Sequence, residues 1–170
     1  TSLWYLRSES ELVFVGDAGN TEASRASKRY GSEIAAYYWL DNRWNIDLEL
    51  AWTRAKFTEN ELTEGKYVEG SVPFVASAGI TYGSPTTGLH SSLRYRYFGA
   101  RRLDSFDEHQ ANATSTVNFG IGYGWEKINV ELDILNLVDS DDHDIDYFYG
   151  SRLLGEPDEG VEDVHYHPVE

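Results

Sequence analysis

Imidazole and carboxylate groups, the side chains best suited to metal and proton chemistry, are concentrated near the end of the chain. The stretch DSDDHDIDY at 139–147 combines His143 with the clustered carboxylates that hard cations prefer. His165 and His167 are two positions apart, so a strand would place both imidazoles on one face, where they could bind a transition metal or haem iron. An EF-hand is excluded because the loop lacks the glycine required at its sixth position. The region is either a solvated acidic loop or a weak outer cation site, and no metal or cofactor is assigned to it.

The remaining chemical motifs do not indicate an enzyme. Glycines at 120, 122 and 124 fail the dinucleotide-binding pattern and are typical of a strand whose inner face carries no side chains. Carboxylates such as Glu49 and Glu131 alternate with apolar residues, which is typical of the lining of a lumen. No nucleophile elbow and no Ser/His/Asp spacing is present. We therefore predict no catalytic residues.

Composition excludes several classes of partner. The chain has 170 residues and no cysteine, with 29 acidic against 14 basic side chains and a net charge of −15. Nucleic acid is excluded because binding to phosphates needs a basic patch, and the longest basic run is two residues. Anionic lipid headgroups are poor partners for such a chain unless its acidic groups lie away from the membrane. A disulfide scaffold and a thiolate metal site are also excluded.

Alternation with a period of two runs through most of the chain. In WNIDLELAWTRA, residues 44–55, apolar and polar side chains alternate almost without a break, which predicts a strand with one apolar and one polar face. The same pattern recurs and predicts an all-β antiparallel up-and-down meander with little room for a helix. The predicted strands are 2–15, 28–40, 43–57, 72–83, 88–99, 113–125 and 127–138.

The connections between these strands alternate in length. Short turns are predicted near residues 41, 85 and 126, whereas the other connections are long and polar. Outer-membrane barrels have this asymmetry, with short turns on the periplasmic side and longer loops outside. The long segments are 16–27, 58–71, 100–112 and the stretch after 138.

The apolar face could contact either a soluble core or lipid. The predicted strands have 12 to 15 residues, whereas soluble strands usually have about 5–6. Large aromatic residues also lie near strand ends, as in the interfacial girdles of membrane barrels: Trp39, Trp44, Tyr95, Tyr97, Tyr123 and Trp125. These features favour lipid. Two alternatives stay open, namely a soluble β-barrel or sandwich that binds a ligand and a small outer-membrane barrel with a structural or adhesive role.

One hairpin carries a family resemblance. Residues 113–139 contain Val117-Asn118 and Gly122-Tyr123, then a tight turn, then an alternating strand that ends in Asn136-Leu137-Val138-Asp139. This pattern resembles the penultimate hairpin of TonB-dependent outer-membrane receptors. Segments 11–19, 67–82 and 94–103 also resemble later strands of such barrels.

The resemblance implies part of a 22-stranded barrel whose lumen holds a plug, in the outer membrane of a Gram-negative cell. Such receptors bind a scarce small-molecule nutrient, for example a ferric siderophore, and import it with TonB. The implied partners are outer-membrane lipid, the receptor's own plug domain, TonB and the nutrient. We expect 1–139 to form barrel wall with outside loops and 140–170 to form a long last extracellular loop that can fold as a protruding hairpin, with one final strand still to follow.

Family topology orients the long connections outward and indicates where ligand contacts would come from. Aromatic and polar side chains in these loops are the candidates, and no metal site is among them. The predicted ligand-binding residues are Tyr67, Arg101, Arg102, His109, Tyr147, Tyr149 and Arg152.

Overall fold

The computed structural model of the chain is built from strands. It describes residues 1–15, 20–59, 64–84, 86–152, 154–155, 157–158 and 160–169. Residues 16–19, 60–63 and 85, which belong to predicted loops and a predicted turn, lie outside this description. The described residues contain no helix that is long and apolar enough to cross a bilayer.

Thirteen strands are present in the described residues. In chain order they are β1 (Ser2–Ser8), β2 (Leu12–Val15), β3 (Asn20–Ala23), β4 (Ser27–Leu40), β5 (Trp44–Phe57), β6 (Phe74–Ser84), β7 (Thr87–Phe98), β8 (Arg101–Arg102), β9 (Gln110–Ala111), β10 (Thr114–Gly124), β11 (Asn129–Ile134), β12 (His143–Ser151) and β13 (Val161–Pro168).

Seven of these strands form one antiparallel sheet in the order β1-β4-β5-β6-β7-β10-β11. The predicted meander is therefore confirmed. The other strands form three two-stranded hairpins, β2/β3, β8/β9 and β12/β13, which all belong to the long connections. We call this end of the sheet the loop end. The opposite, turn end holds the short connections, where Asp41 and Asn42 have φ values of 53° and 54°, as a tight hairpin turn requires.

Two predicted strands differ from the structure. The first, 2–15, is broken after Ser8, because the chain leaves the sheet and β2 pairs with β3 instead of β4. The last, 127–138, ends at Ile134. Its final residues form a turn in which Asn136 has a φ of 47°, and local alternation carries no signal for either departure.

The register of the sheet separates its two faces. Asp47, Gly79 and Arg94 lie side by side on one face of β5, β6 and β7, and Glu49 and Arg96 lie on the same face. The opposite, apolar face is open to its surroundings. Its exposed members include Ile34, Tyr38, Trp44, Ile46, Leu48, Trp52, Phe74, Ile80, Leu93, Tyr95, Ile121, Tyr123 and Leu132.

The apolar face does not form the core of a soluble protein. Among the described residues, the buried apolar side chains are small or scattered, namely Ala55, Val68, Leu103 and Ala111, and all four lie at the loop end. Large exposed apolar patches on proteins mark contact with a membrane or a partner. The apolar face must therefore be buried by a membrane or a partner outside the described chain.

Aromatic pairs border the apolar face at both ends. At the turn end, the rings of Trp44 and Tyr82 are 4.8 Å apart. At the loop end, the rings of Tyr30 and Trp52 are 5.8 Å apart, and Phe74 with Tyr97 continues the row. Trp44 and Trp52 are eight positions apart, which is about 27 Å along an extended strand. This separation matches the apolar band of a membrane barrel, about 25 Å tall and flanked by aromatic girdles.

Trp39 is an exception among the predicted girdle residues. It pairs with Asn45 and stacks on Tyr37, so it lies on the polar face of the sheet. Successive residues of a strand point to opposite faces, so Trp39 lies on the polar face while its neighbours Tyr38 and Leu40 lie on the apolar face.

Candidate functional site

The β12/β13 hairpin is fixed to the loop end of the sheet by short hydrogen bonds. The Thr114 hydroxyl at the start of β10 donates to the His143 carbonyl over 2.5 Å. The next backbone amide, that of Ser115, donates to the Asp142 carboxylate over 2.7 Å. Both contacts come from the stretch DSDDHDIDY, so part of its acidity serves to attach the hairpin. The hairpin is therefore attached to the start of β10, at the loop end of the sheet.

A buried ion pair joins the same hairpin to β8. The Arg101 guanidinium lies 3.3 Å from the Asp146 carboxylate, and both side chains are less than a tenth exposed. The second carboxylate oxygen of Asp146 is 2.6 Å from Nδ1 of His143. Both oxygens of this buried carboxylate thus have partners, which is the condition under which a buried charge is tolerated.

The β8/β9 hairpin supplies a second contact and is itself held by one carboxylate. The His109 ring stacks on Phe148 with centroids 3.8 Å apart. Asp104 accepts backbone N–H bonds from Phe106, Glu108 and His109. Burial of Asp104 by itself raises its pKa, but these backbone bonds and the His109 side chain outweigh burial and leave the pKa below its ordinary value. The loop that carries His109 is therefore held by a carboxylate that favours its charged form.

A cavity of about 720 Å³ lies between the β12/β13 hairpin and the polar face of the sheet. The sheet contributes the guanidinium of Arg96 and the amide of Asn118, and the hairpin contributes Tyr147 and His167. The cavity combines the Arg96 cation and the Asp144 carboxylate with aromatic and hydroxyl groups. Its other lining residues are Phe98, Thr114, Thr116, Leu135, Asn136, Ile145, Pro168 and Val169.

Histidine and tyrosine rings alternate along the hairpin. Tyr149 stacks on His165 at 4.2 Å, and Tyr147 meets His167 edge to face at 6.4 Å. This strip offers aromatic faces and polar ring edges, which suit an aromatic or polar ligand of small size. Across the part of the chain that the structure describes, no three His, Asp or Glu side chains converge as a metal site.

The structure brings together some of the predicted ligand-binding residues and separates others. Arg101, His109, Tyr147 and Tyr149 meet in or under the β12/β13 hairpin, but Arg101 is buried in its ion pair. Arg152 is exposed and paired with Asp158, at 2.6 Å.

The last two predicted residues lie elsewhere. Tyr67 and Arg102 stack on each other at 3.9 Å, and Tyr67 pairs with Lys56 on the apolar side of the sheet. The prediction missed Arg96 and His167 as cavity residues. Strand parity could have indicated Arg96, because it follows Arg94 on the polar face of β7.

Below the cavity, charges and small residues fill the polar face of the sheet. Arg94 makes two hydrogen bonds to the nearly buried carboxylate of Asp47, at 2.9 and 3.0 Å. The bonds pass over Gly79, where a Cβ would lie 2.5 Å from Asp47. Gly122 likewise gives space to the ring of His90, so the glycine run of β10 accommodates a side chain of the neighbouring strand.

An antiparallel meander with an exposed apolar face, two aromatic borders and charges on the other face is the wall of a transmembrane β-barrel. Residues 1–137 match the model of the family described as TonB dependent receptor-like, beta-barrel. The chain therefore belongs to the β-barrel family of TonB-dependent receptors. Members of this family are outer-membrane transporters and not enzymes.

Two solved structures show the same fold. The copper transporter OprC superposes with a TM-score of 0.62 at 18% identity, covering 81% of this chain and 22% of OprC. The ferric yersiniabactin uptake receptor FyuA from Yersinia pestis gives 0.58 at 17% identity, covering 96% of this chain and 32% of FyuA. No curated protein matches the chain. The chain spans less than a third of the length of either structure.

Proposed function

We propose that this chain forms part of the wall and the outer loops of an outer-membrane receptor that imports a scarce small-molecule nutrient, such as a ferric siderophore. The observation that carries the proposal is the reversed polarity of the sheet, with Leu48 and its neighbours exposed on one face and the Asp47–Arg94 pair on the other. Such a wall needs lipid outside and a filled lumen inside. The plug domain and TonB are the partners that the family implies for the intact receptor.

In this proposal the loop end of the sheet faces the cell exterior, and residues 140–170 form the last outer loop. The cavity beneath the β12/β13 hairpin is then the part of the receptor mouth to which this chain contributes. Its Arg96 cation suits an anionic chelate, and Tyr147 offers an aromatic face. Tyr149 and His109 support the hairpin, while Arg101 positions it through Asp146.

The remaining three predicted residues have different places in the proposal. Arg152 is an exposed residue at the tip of the hairpin and can meet an arriving ligand. Tyr67 and Arg102 face the outside of the wall, so we do not assign them to ligand binding.

Uptake by the intact receptor tests the proposal. Cells that depend on this receptor are given radiolabelled iron bound to a panel of chelates, and both the binding of the labelled complex to the cells and its uptake are measured. Tyr147→Ala and Arg96→Gln are each expected to weaken binding of the transported chelate by about tenfold, as loss of one aromatic or charge-assisted contact does. Glu108→Gln, at an exposed site of the neighbouring hairpin, is the control and should leave binding unchanged.

The proposal would be wrong if deletion of the receptor left uptake of every chelate and metal complex unchanged. Unchanged binding in both cavity variants, with uptake intact, would leave the transport function standing and remove the cavity from the ligand site.

A further inference from the structure

Two histidines share the face of the β12/β13 hairpin that lines the cavity. His165 and His167 are two positions apart on β13, so the strand places both imidazoles on one side. Their register partners on β12 are Tyr147 and Ile145. Ile145, Tyr147 and His167 all line the cavity of about 720 Å³. The two imidazoles therefore belong to the cavity side of the hairpin.

Each of these imidazoles packs against a tyrosine ring. Tyr149 stacks on His165 with centroids 4.2 Å apart. Tyr147 meets His167 edge to face at 6.4 Å. Nε2 of His165 is enclosed and has no hydrogen-bond partner among the described residues. Buried polar atoms normally have a partner, so a ligand from outside the described chain would complete the contacts of this nitrogen.

The spacing of the two histidines suits a single metal ion. Alternate residues of a strand have their Cα atoms about 6.6 Å apart. A tetrahedral metal with N–metal bonds of about 2.0–2.1 Å holds two imidazole nitrogens about 3.3 Å apart. Two histidine side chains close that difference by leaning toward each other. Imidazole is a ligand for Cu²⁺, Zn²⁺ and Ni²⁺, whereas Ca²⁺ and Mg²⁺ prefer oxygen ligands.

The charge around the two histidines favours a cation. Residues 139–170 carry eleven Asp and Glu side chains and one basic side chain, Arg152. Asp144 lines the same cavity, and Asp163 lies on the histidine face of β13. These carboxylates raise the local concentration of cations. Since no three ligating side chains converge in the part of the chain that the structure describes, an ion held by two imidazoles keeps other coordination positions open.

We propose that His165 and His167 form a two-imidazole site that binds a divalent transition-metal ion at the cavity, with Cu²⁺ held most tightly. Water or the donor groups of a chelate fill the open positions of the ion. Arg96, on the sheet side of the same cavity, suits the anionic part of such a chelate. The nutrient is then a complex whose metal accepts imidazole ligands. That last step rests on the proposed function, whereas metal binding itself does not.

Copper binding by the intact receptor tests the site. Receptor purified in detergent is titrated with Cu²⁺ alone, and binding is followed by calorimetry and electron paramagnetic resonance. Wild type should bind one Cu²⁺, coupled to two nitrogens, that His165→Gln/His167→Gln does not bind. His167→Gln alone should bind this ion at least about tenfold more weakly, since even a group that only supports a metal ligand is worth about 10–100-fold. His90→Gln removes an imidazole near the turn end of the sheet and should keep the wild-type affinity.

Three results would overturn the site: equal Cu²⁺ binding in wild type and the double variant, an equal loss in His90→Gln, or oxygen ligands only for the ion that the double variant loses. Displacement of this ion by millimolar Ca²⁺ would also overturn it, because carboxylates would then be its ligands. Thermal unfolding without metal shows whether the variants are folded. If the double variant does not fold, His167→Gln decides the test, because His167 is exposed.

Uptake separates the site from the proposed function. Copper binding by wild type without uptake of any metal complex contradicts only the proposed function. Uptake of a complex by a receptor whose copper binding survives in the double variant contradicts only the site.

Discussion

Asp47 and Arg94 form a two-pronged ion pair across the whole width of β6, at 2.9 and 3.0 Å, and the strand between them contributes only Gly79 at the crossing point. The pair links three strands on the polar face. Its carboxylate is nearly buried, whereas its guanidinium is less than half exposed. A single glycine thus permits a two-pronged side-chain link between β5 and β7.

Removal of this link should destabilise the wall. Asp47→Asn leaves the Arg94 charge without its partner, and we expect the free energy of unfolding to fall by about 2 kcal/mol. Urea unfolding of the intact receptor in detergent micelles measures it. Gly79→Ala should have a comparable effect, since its Cβ would lie 2.5 Å from the Asp47 carboxylate. The double variant Asp47→Asn/Arg94→Gln should lose less unfolding free energy than the sum of the losses in Asp47→Asn and Arg94→Gln. A loss equal to that sum would show that the two residues do not interact.

The apolar face can be tested with one introduced charge. Leu48→Arg places a cation in the middle of this face and should cost about 2–4 kcal/mol of unfolding free energy in a lipid bilayer. Ala35→Arg is the matched control, because Ala35 is on the polar face opposite Glu49. We expect little change there. Unfolding of the intact receptor from vesicles gives both values, and equal costs would contradict the assignment of the faces.

Docking of the β12/β13 hairpin should depend on its buried ion pair. Arg101→Met leaves the Asp146 carboxylate with His143 as its remaining partner, so we expect the docked state to lose about 3 kcal/mol. Amide hydrogen exchange across β12 and β13 should then accelerate while exchange in β5 and β6 stays slow. Arg152→Gln breaks an exposed pair of the same hairpin and should leave exchange unaltered.

The β8/β9 hairpin should be sensitive to acid through Asp104. The folded state holds the pKa of this carboxyl below its ordinary value of about 3.9, so the stabilisation is complete above that value and is lost as the pH falls through the folded pKa. Exchange of the Phe106 and Glu108 amides should thus accelerate below about pH 4. Asp104→Asn should show the fast exchange already at neutral pH. Protection that persists to pH 2 would contradict the role of this carboxylate.

The turn after β11 should depend on two asparagines. The Asn118 side chain accepts the Asn136 N–H at 3.0 Å, and the Asn136 side chain both accepts from and donates to the backbone of Ser140. Asn136 also has a φ of 47°, which β-carbon sterics disfavour for most residues. Asn118→Ala should lower the unfolding free energy by about 1 kcal/mol.

Substitution at Asn136 separates its two roles. Asn136→Gly keeps the backbone geometry and loses the side-chain bonds, whereas Asn136→Ala loses both, so the alanine variant should be the less stable of the two in urea. Equal stability would show that the positive φ is not what selects asparagine here.

The sequence determined the meander and the two faces of its sheet because alternation is a local property. Each side chain in WNIDLELAWTRA points opposite to its neighbour, so the apolar residues of β5 must share a face whatever the strand pairs with. The short turn at Asp41-Asn42 likewise follows from residues that tolerate positive φ. Asn118 and Asn136 are two of the residues that carry the family resemblance, and they are hydrogen bonded to each other in the structure.

Tertiary structure decided what the loops do. Arg101 and Arg102 are adjacent, yet Arg101 points inward to Asp146 and Arg102 points outward to Tyr67. The loop residues carry no periodicity that predicts these directions. The pairing of β8 with β9 sets that direction. The cavity joins Arg96 to Tyr147 across 51 positions of sequence, which only the docking of the hairpin brings together. Such contacts depend on distant chain segments, so local pattern alone does not specify them.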